Sequence, residues 1–186
     1  MLRDLKVDAG SAILVSIDMQ DKVIDITWDH DIVRPRAAAF ASIARIMQVP
    51  VLKVEHVPTK MGVTATVIDE ALGSVPPIVK ASFSAFGSDE FAQKLASSGR
   101  NKVIIFGVEA HVCLCQTALD AIELGYSVFV VADASSSTSP YHRDIAYDRM
   151  RQAGAVIATA QSLAFELLER ADRPEFKQAL PYIKDL

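Results

Sequence analysis

Residues 102–132, KVIIFGVEAHVCLCQTALDAIELGYSVFVVA, decide how the rest of the chain is read. An apolar run, KVIIFGV (102–108), leads into a segment of helical period over 113–124 that stops at Gly125, and a second apolar run, SVFVVA (127–132), follows at once. Hydrophobicity that is continuous rather than alternating suits a strand whose sheet is covered on both faces. Glycine just past a helix closes its last turn. Strand, helix and strand in this order make a parallel crossover unit. Where the first strand meets the helix stand Cys113 and Cys115, the only cysteines of the chain. Four readings are open for them: a metal clip, a redox pair, a catalytic thiol with a bystander, or two small core residues.

The same alternation runs outward in both directions. Strands are expected at AILVSI (12–17), VPVLKV (49–54), PIVK (77–80) and AVIATA (155–160), with helices over 32–47, 88–98 and 141–153. Asp31 is the expected N-cap of 32–47, whose buried stripe would be Ile32, Phe40, Ile43, Ile46 and Met47, with Pro50 beyond its end. Gly99 and Gly154 close the other two. The fold class that follows is α/β: a doubly wound, Rossmann-like three-layer αβα sandwich on a mainly parallel sheet of about six strands. Residues 1–186 are read as a single domain, with a core over 11–160 and a helical C-terminal segment over 161–186. In that segment PEFKQALPYIKDL (174–186) forms a short helix against a partner or the domain's own edge. Residues 56–77 lack a strong period and read equally as a lid or as a solvated excursion. Ser135 to Ser139 read as a polar loop.

Composition narrows the function classes. Half of the 186 residues are apolar and the net charge is −4, which argues against a phosphate-binding surface and so against nucleic acid. MLRDLKVDAG at the N-terminus has no long apolar run, and no stretch approaches the length of a membrane span, so the expectation is a cytoplasmic protein without a membrane partner. Two cysteines at i and i+2 cannot easily reach disulfide geometry with each other, which implies a reducing compartment. Neither GxGxxG after the first strand nor GxxxxGK[ST] occurs, so nucleotide cofactors lack their phosphate cradle and none is expected.

In open parallel sheets the ligand lies at the carboxyl ends of the strands. Asp18 ends the first strand, Lys80 the third, and Cys113 follows the fourth. A cysteine at a helix start beside an ammonium group has its thiolate favoured, a nearby carboxylate can take the thiol proton, and turn N–H groups can face a developing oxyanion. A metal clip is poor, because Cys-x-Cys supplies two ligands and no His or Cys cluster offers the others; no metal is expected.

Three blocks then carry a resemblance: ILVSIDMQDK (13–22), IVKASFSAF (78–86) and VIIFGVEAHVCLCQTALDAIELGYSVFVVADASSS (103–137). In this order they resemble the isochorismatase-like cysteine hydrolase superfamily, and GVEAHVC, DASSS and RMRQAGA look most like its isochorismatase domain-containing subgroup. The resemblance implies Asp18 as general base and acid, Lys80 as electrostatic partner and Cys113 as nucleophile. It also implies a cis peptide at Val108–Glu109 and an oxyanion hole from the N–H groups of Glu109 and Cys113. Gln20, His56, Phe83 and His111 fall in or beside the matching segments as possible pocket residues. The Asp-Trp-His-Pro metal segment of the nicotinamidases is replaced by EHVP (55–58), which departs from a nicotinamidase, and the presence of a cysteine departs from true isochorismatases. The activity implied is hydrolysis of a small-molecule amide, carbamoyl or ester bond; separately, the apolar half of the composition and the spare C-terminal segment lead to the expectation of a homo-oligomer. A thiol redox protein using Cys113 and Cys115, or an interaction module with a vestigial triad, are the alternatives.

Overall fold

The computed structural model describes residues 5–186; residues 1–4, part of the segment read above for a leader, lie outside the described residues. Six parallel strands form one sheet in the order β3-β2-β1-β4-β5-β6. They are β1 Ala12–Ile17, β2 Val51–His56, β3 Pro77–Lys80, β4 Lys102–Gly107, β5 Ser127–Val131 and β6 Val156–Ala158. The order reverses between β1 and β4, the point at which a doubly wound sheet opens a crevice for a ligand.

Alternate residues of the central strands supply two cores. In β4, Ile104 and Phe106 face one layer with Leu14 of β1, whereas Val103 and Ile105 face the other with Ile13 and Val15. The first layer is covered by α2 (His30–Ile46), α4 (Thr66–Ala71), α8 (Ala160–Leu168) and α9 (Pro174–Ile183). The second is covered by α5 (Asp89–Ser97), α6 (Cys115–Glu123) and α7 (Pro140–Ala153). Burying one such side chain stabilises by about 1.5–3 kcal/mol, which is why both faces of the central strands β1 and β4 are almost wholly apolar.

Several local expectations shift. Helix α2 begins two residues earlier than Asp31 suggests, with Asp29 at the N-cap, and Ile32 in its first turn is exposed; Val33, Ala37, Phe40 and Ile43 carry the buried face. Strand β2 starts at Val51 because Val49, past the end of α2, is still tied back to that helix, its N–H bonded to the carbonyl of Ala44. The 56–77 stretch holds two short helices, α3 (Pro58–Met61) and α4, so it is not a structureless lid. The helix expected from Cys113 is preceded by a π-helical turn, Ala110–Leu114, that already contains it. A four-residue helix, α1 (Asp21–Ile24), follows β1.

Candidate active site

Gly107 brings the two sides of the crevice together. Its φ of +148° is one that side chains rarely adopt, and a Cβ there would fall on the carbonyl oxygen of Ile17, its partner across the β1–β4 ladder. Only glycine lets the ends of β1 and β4 approach this closely. Directly beyond them come Asp18 on one side and Val108–Cys113 on the other.

Asp18 has left-handed backbone, φ +52°, with its N–H bonded to the Val54 carbonyl at 3.0 Å. Val57, past the end of β2, is also left-handed (φ +39°) and bonds the Lys80 carbonyl at 2.9 Å. Such strained positions persist only where their surroundings over-determine them, and both adjoin the crevice. Lys80 ends β3 opposite His56 and directs its ammonium inward, 2.7 Å from Asp18 Oδ2, with both side chains sealed from solvent. Asp18 Oδ1 has no nitrogen or oxygen donor among the described residues. The nearly buried Cys113 thiol interacts with this carboxylate. Burial raises the Asp18 carboxyl above its ordinary range against the opposing pull of Lys80. Burial, and then the Asp18 charge, push the Cys113 thiol up to about 12, with Lys80 opposing. The expectation of a thiolate favoured by a helix N-terminus is therefore corrected: the proton rests on sulfur, beside a carboxylate able to take it.

The Val108–Glu109 peptide is cis. Its turn is held by serines that looked like an ordinary polar loop. Ser135, Ser136 and Ser137 are buried; Ser135 Oγ accepts from Gly107 N–H at 3.1 Å and the Ser136 carbonyl accepts from Ala110 N–H at 2.7 Å. The Ser136 hydroxyl donates to Asp29, which also pairs with Arg143 at 2.8 Å, so the turn is braced from α2 and α7. Thr117 on α6 accepts from Ala85 N–H at 2.9 Å and donates to the Cys113 carbonyl at 2.7 Å, joining the segment after Lys80 to the Cys113 turn. A serine run one short turn after β5, on the ligand side of the sheet, was the available signal.

A cavity of about 200 Å³ opens over Asp18 and Cys113. Val23, Ile26, Met61, Phe83, Val108 and Val112 make its walls, with Lys22, His56 and Glu109 as the remaining polar lining. Val23 and Ile26, in and just after α1, were not anticipated. Of the four expected pocket residues, His56 and Phe83 line it. Gln20 does not: it is buried and clamps the His56 backbone from both sides. His111 does not either: it points to a neighbouring cleft, stacked on His142 at 4.7 Å and bonded to Ser137 Oγ at 3.0 Å. Cys115 is fully buried in the α6 layer.

The residues at the position of the nicotinamidase metal segment are not arranged as ligands. Glu55 Oε1 accepts from both Thr64 N–H and Thr64 Oγ1 at 2.8 Å, and His56 Nδ1 is sealed in the protein. Among the described residues no group of three or more His, Cys, Asp or Glu side chains is placed to hold a metal ion, and no helix is long and apolar enough to cross a membrane.

Comparison with known proteins identifies the fold. The Isochorismatase domain profile matches residues 12–162. The chain belongs to the isochorismatase family. Isochorismatase domain-containing protein 2 of Homo sapiens is 35% identical over 178 residues, covering 95% of this chain and 84% of that protein. Among solved structures, the MAR1 ribonuclease of Caenorhabditis elegans superposes with a TM-score of 0.90 at 30% identity, covering 96% and 92% of the two chains. YcaC superposes from two bacteria at 26% identity. The Pseudomonas aeruginosa protein, with hexane-2,5-diol and covalent acrylamide, has a TM-score of 0.91 and coverage of 98% and 93%. The Escherichia coli protein, an octameric hydrolase of unknown specificity, has a TM-score of 0.90 and coverage of 100% and 96%. The isochorismatase-like hydrolase fold is thus shared along the chain.

Proposed function

We propose that this isochorismatase-family protein is a cysteine hydrolase that cleaves a small-molecule amide, carbamoyl or ester bond, with Cys113 as nucleophile, Asp18 as general acid and base and Lys80 as electrostatic partner. The observation that carries the reading is the sealed Asp18–Lys80 pair beside the Cys113 thiol at the floor of a small cavity. A buried carboxyl group paired with an ammonium group and raised by burial, next to a thiol, is a proton acceptor matched to one donor. In the first step Asp18 takes the Sγ proton as sulfur attacks the carbonyl carbon. The oxyanion forms against the backbone N–H groups of Glu109 and Cys113. Collapse breaks the bond to nitrogen or oxygen, and the leaving atom departs with the proton from Asp18. Water then attacks the thioester, Asp18 accepting its proton and returning it to sulfur.

The covalent acrylamide on the related YcaC is in keeping with a reactive nucleophile on this fold. A redox pair draws no support, since Cys115 is sealed within the α6 layer and raised by burial. A cavity of about 200 Å³ in a chain of net charge −4 suits a small molecule rather than a nucleic acid. The octameric YcaC and exposed apolar side chains such as Trp28 and Tyr141 support a homo-oligomer, and two buried thiols without a disulfide suit the cytoplasm. The reading is tested by a panel of small amides, ureas and esters offered to the wild-type chain and to Cys113→Ala. Turnover confined to the wild type supports it, and equal turnover by both removes it.

A further inference from the structure

His56 lines the cavity, yet the chemistry of Asp18, Lys80 and Cys113 makes no use of it. Its backbone is clamped by Gln20, which accepts from the His56 N–H at 2.9 Å and donates to the His56 carbonyl at 3.1 Å. Its ring stacks on Phe83 with centroids 6.0 Å apart and planes 21° from parallel. Nδ1 is sealed and has no partner among the described residues, whereas Nε2, also without one there, is not sealed. A proton on Nδ1 would be a buried donor with no acceptor, and orphaned donors are rarer in proteins than under-satisfied acceptors. The neutral ring therefore carries its proton on Nε2.

The charged groups of the rest of the lining are few and opposed in sign: Asp18 stands with Lys80, and the exposed Lys22 ammonium is offset by the Glu109 carboxylate. Of these only Asp18 and Lys80 form an ion pair; Lys22 Nζ donates to the neutral Lys60 carbonyl at 3.0 Å, and a Glu109 carboxylate oxygen accepts from the Thr138 N–H at 2.9 Å. An anion entering this apolar cavity would lose its water and meet the Asp18 and Glu109 carboxylates, while the Lys22 ammonium is exposed to solvent and donates to the Lys60 carbonyl. We infer that His56 is the specificity-determining residue of the cavity: an Nε2–H donor held on the Phe83 ring that selects small neutral carbonyl compounds with an apolar acyl group over carboxylates of the same shape. The inference rests on the small-molecule reading above and deepens it by naming the class of ligand.

The test is equilibrium binding, which needs no turnover. Isobutyramide and isobutyrate are titrated into the wild-type chain at neutral pH, followed by the nuclear magnetic resonance signals of the histidine rings. Isobutyramide should bind and isobutyrate should bind at least about tenfold more weakly. His56→Phe keeps a ring against Phe83 and removes the orphaned Nδ1, so the fold is retained; it should cost about tenfold in isobutyramide affinity, the worth of one hydrogen bond. His56→Gln restores a side-chain N–H and should recover most of that loss. Equal affinity for acid and amide, binding of neither, or a His56→Phe protein that binds isobutyramide as the wild type does would overturn the inference. The hydrolase reading fails by a different result, turnover by Cys113→Ala, whatever isobutyramide does.

Discussion

Replacing Lys80 by methionine removes a charge while nearly preserving volume. Lys80 and Asp18 are sealed together, their side chains 0% and 2% exposed and 2.7 Å apart. Deleting one partner of a buried pair costs about 3–5 kcal/mol, because the remaining charge is left uncompensated. The carboxyl can escape part of this cost by binding a proton. Burial already raises it and Lys80 is the chief opposing influence, so without the ammonium it moves further up. The sign follows from linkage. A folded-state carboxyl above its ordinary value of 3.8 takes up a proton on folding, so stability is greatest below that value and falls as pH rises through the folded-state value. The loss in Lys80→Met should be small near about pH 4 and grow toward about 3–5 kcal/mol at neutral pH. Urea denaturation of both proteins at about pH 5 and about pH 8 measures it. In the same variant, alkylation of Cys113 should require higher pH, since a protonated Asp18 cannot accept the thiol proton. A stability difference below about 1 kcal/mol at the higher pH, or one that does not change with pH, would refute the coupling.

Gly107→Ala should lose stability at or above the upper end of the ~1–3 kcal/mol that overpacking costs, because the new methyl meets the Ile17 carbonyl; a wild-type urea midpoint would contradict the close approach. Cys115→Ser should retain turnover and lose about 1–3 kcal/mol of stability, the cost of an unpartnered hydroxyl in an apolar layer, whereas Cys113→Ala should lose turnover. Activity should survive exhaustive chelation, since Glu55 is engaged by Thr64; a stoichiometric divalent ion bound through Glu55 or His56 would contradict this.

The sheet was legible because its strands are short and rich in β-branched residues: β1, buried along its whole length, and the edge strand β3 begin and end where the sequence places them. Helix ends were less so. Asp31 has the chemistry of a cap, but Asp29 holds the position and its carboxylate is spent on Ser136 and Arg143, contacts from residues more than 100 positions away. The short helices of 56–77 span too few residues to show a period, and a π-turn has no sequence signature that separates it from the helix it precedes. At the site, strand-end logic placed Asp18, Lys80 and Cys113 around one crevice, because residues at strand carboxyl ends converge. Proximity along the chain was a poor guide to the pocket: His111 lies two residues from Cys113 yet faces another cleft, while Val23 and Ile26 reach the cavity from α1 and the segment after it. The Cys113 thiol also departs from the simple dipole argument, because burial and the Asp18 charge outweigh the pull of Lys80.

Mass spectrometry of the intact chain, taken seconds after mixing with a substrate found in the panel and followed by peptide mapping over residues 107–120, tests the central claim most directly. An acyl-enzyme mechanism predicts a transient mass increase equal to the acyl group, mapped to Cys113 and absent from Cys113→Ala. Asp18→Asn should accumulate no adduct, because the sulfur has no group to take its proton. An acyl adduct on Cys115 with Cys113 unmodified, or turnover with undiminished rate in Asp18→Asn, would contradict the account.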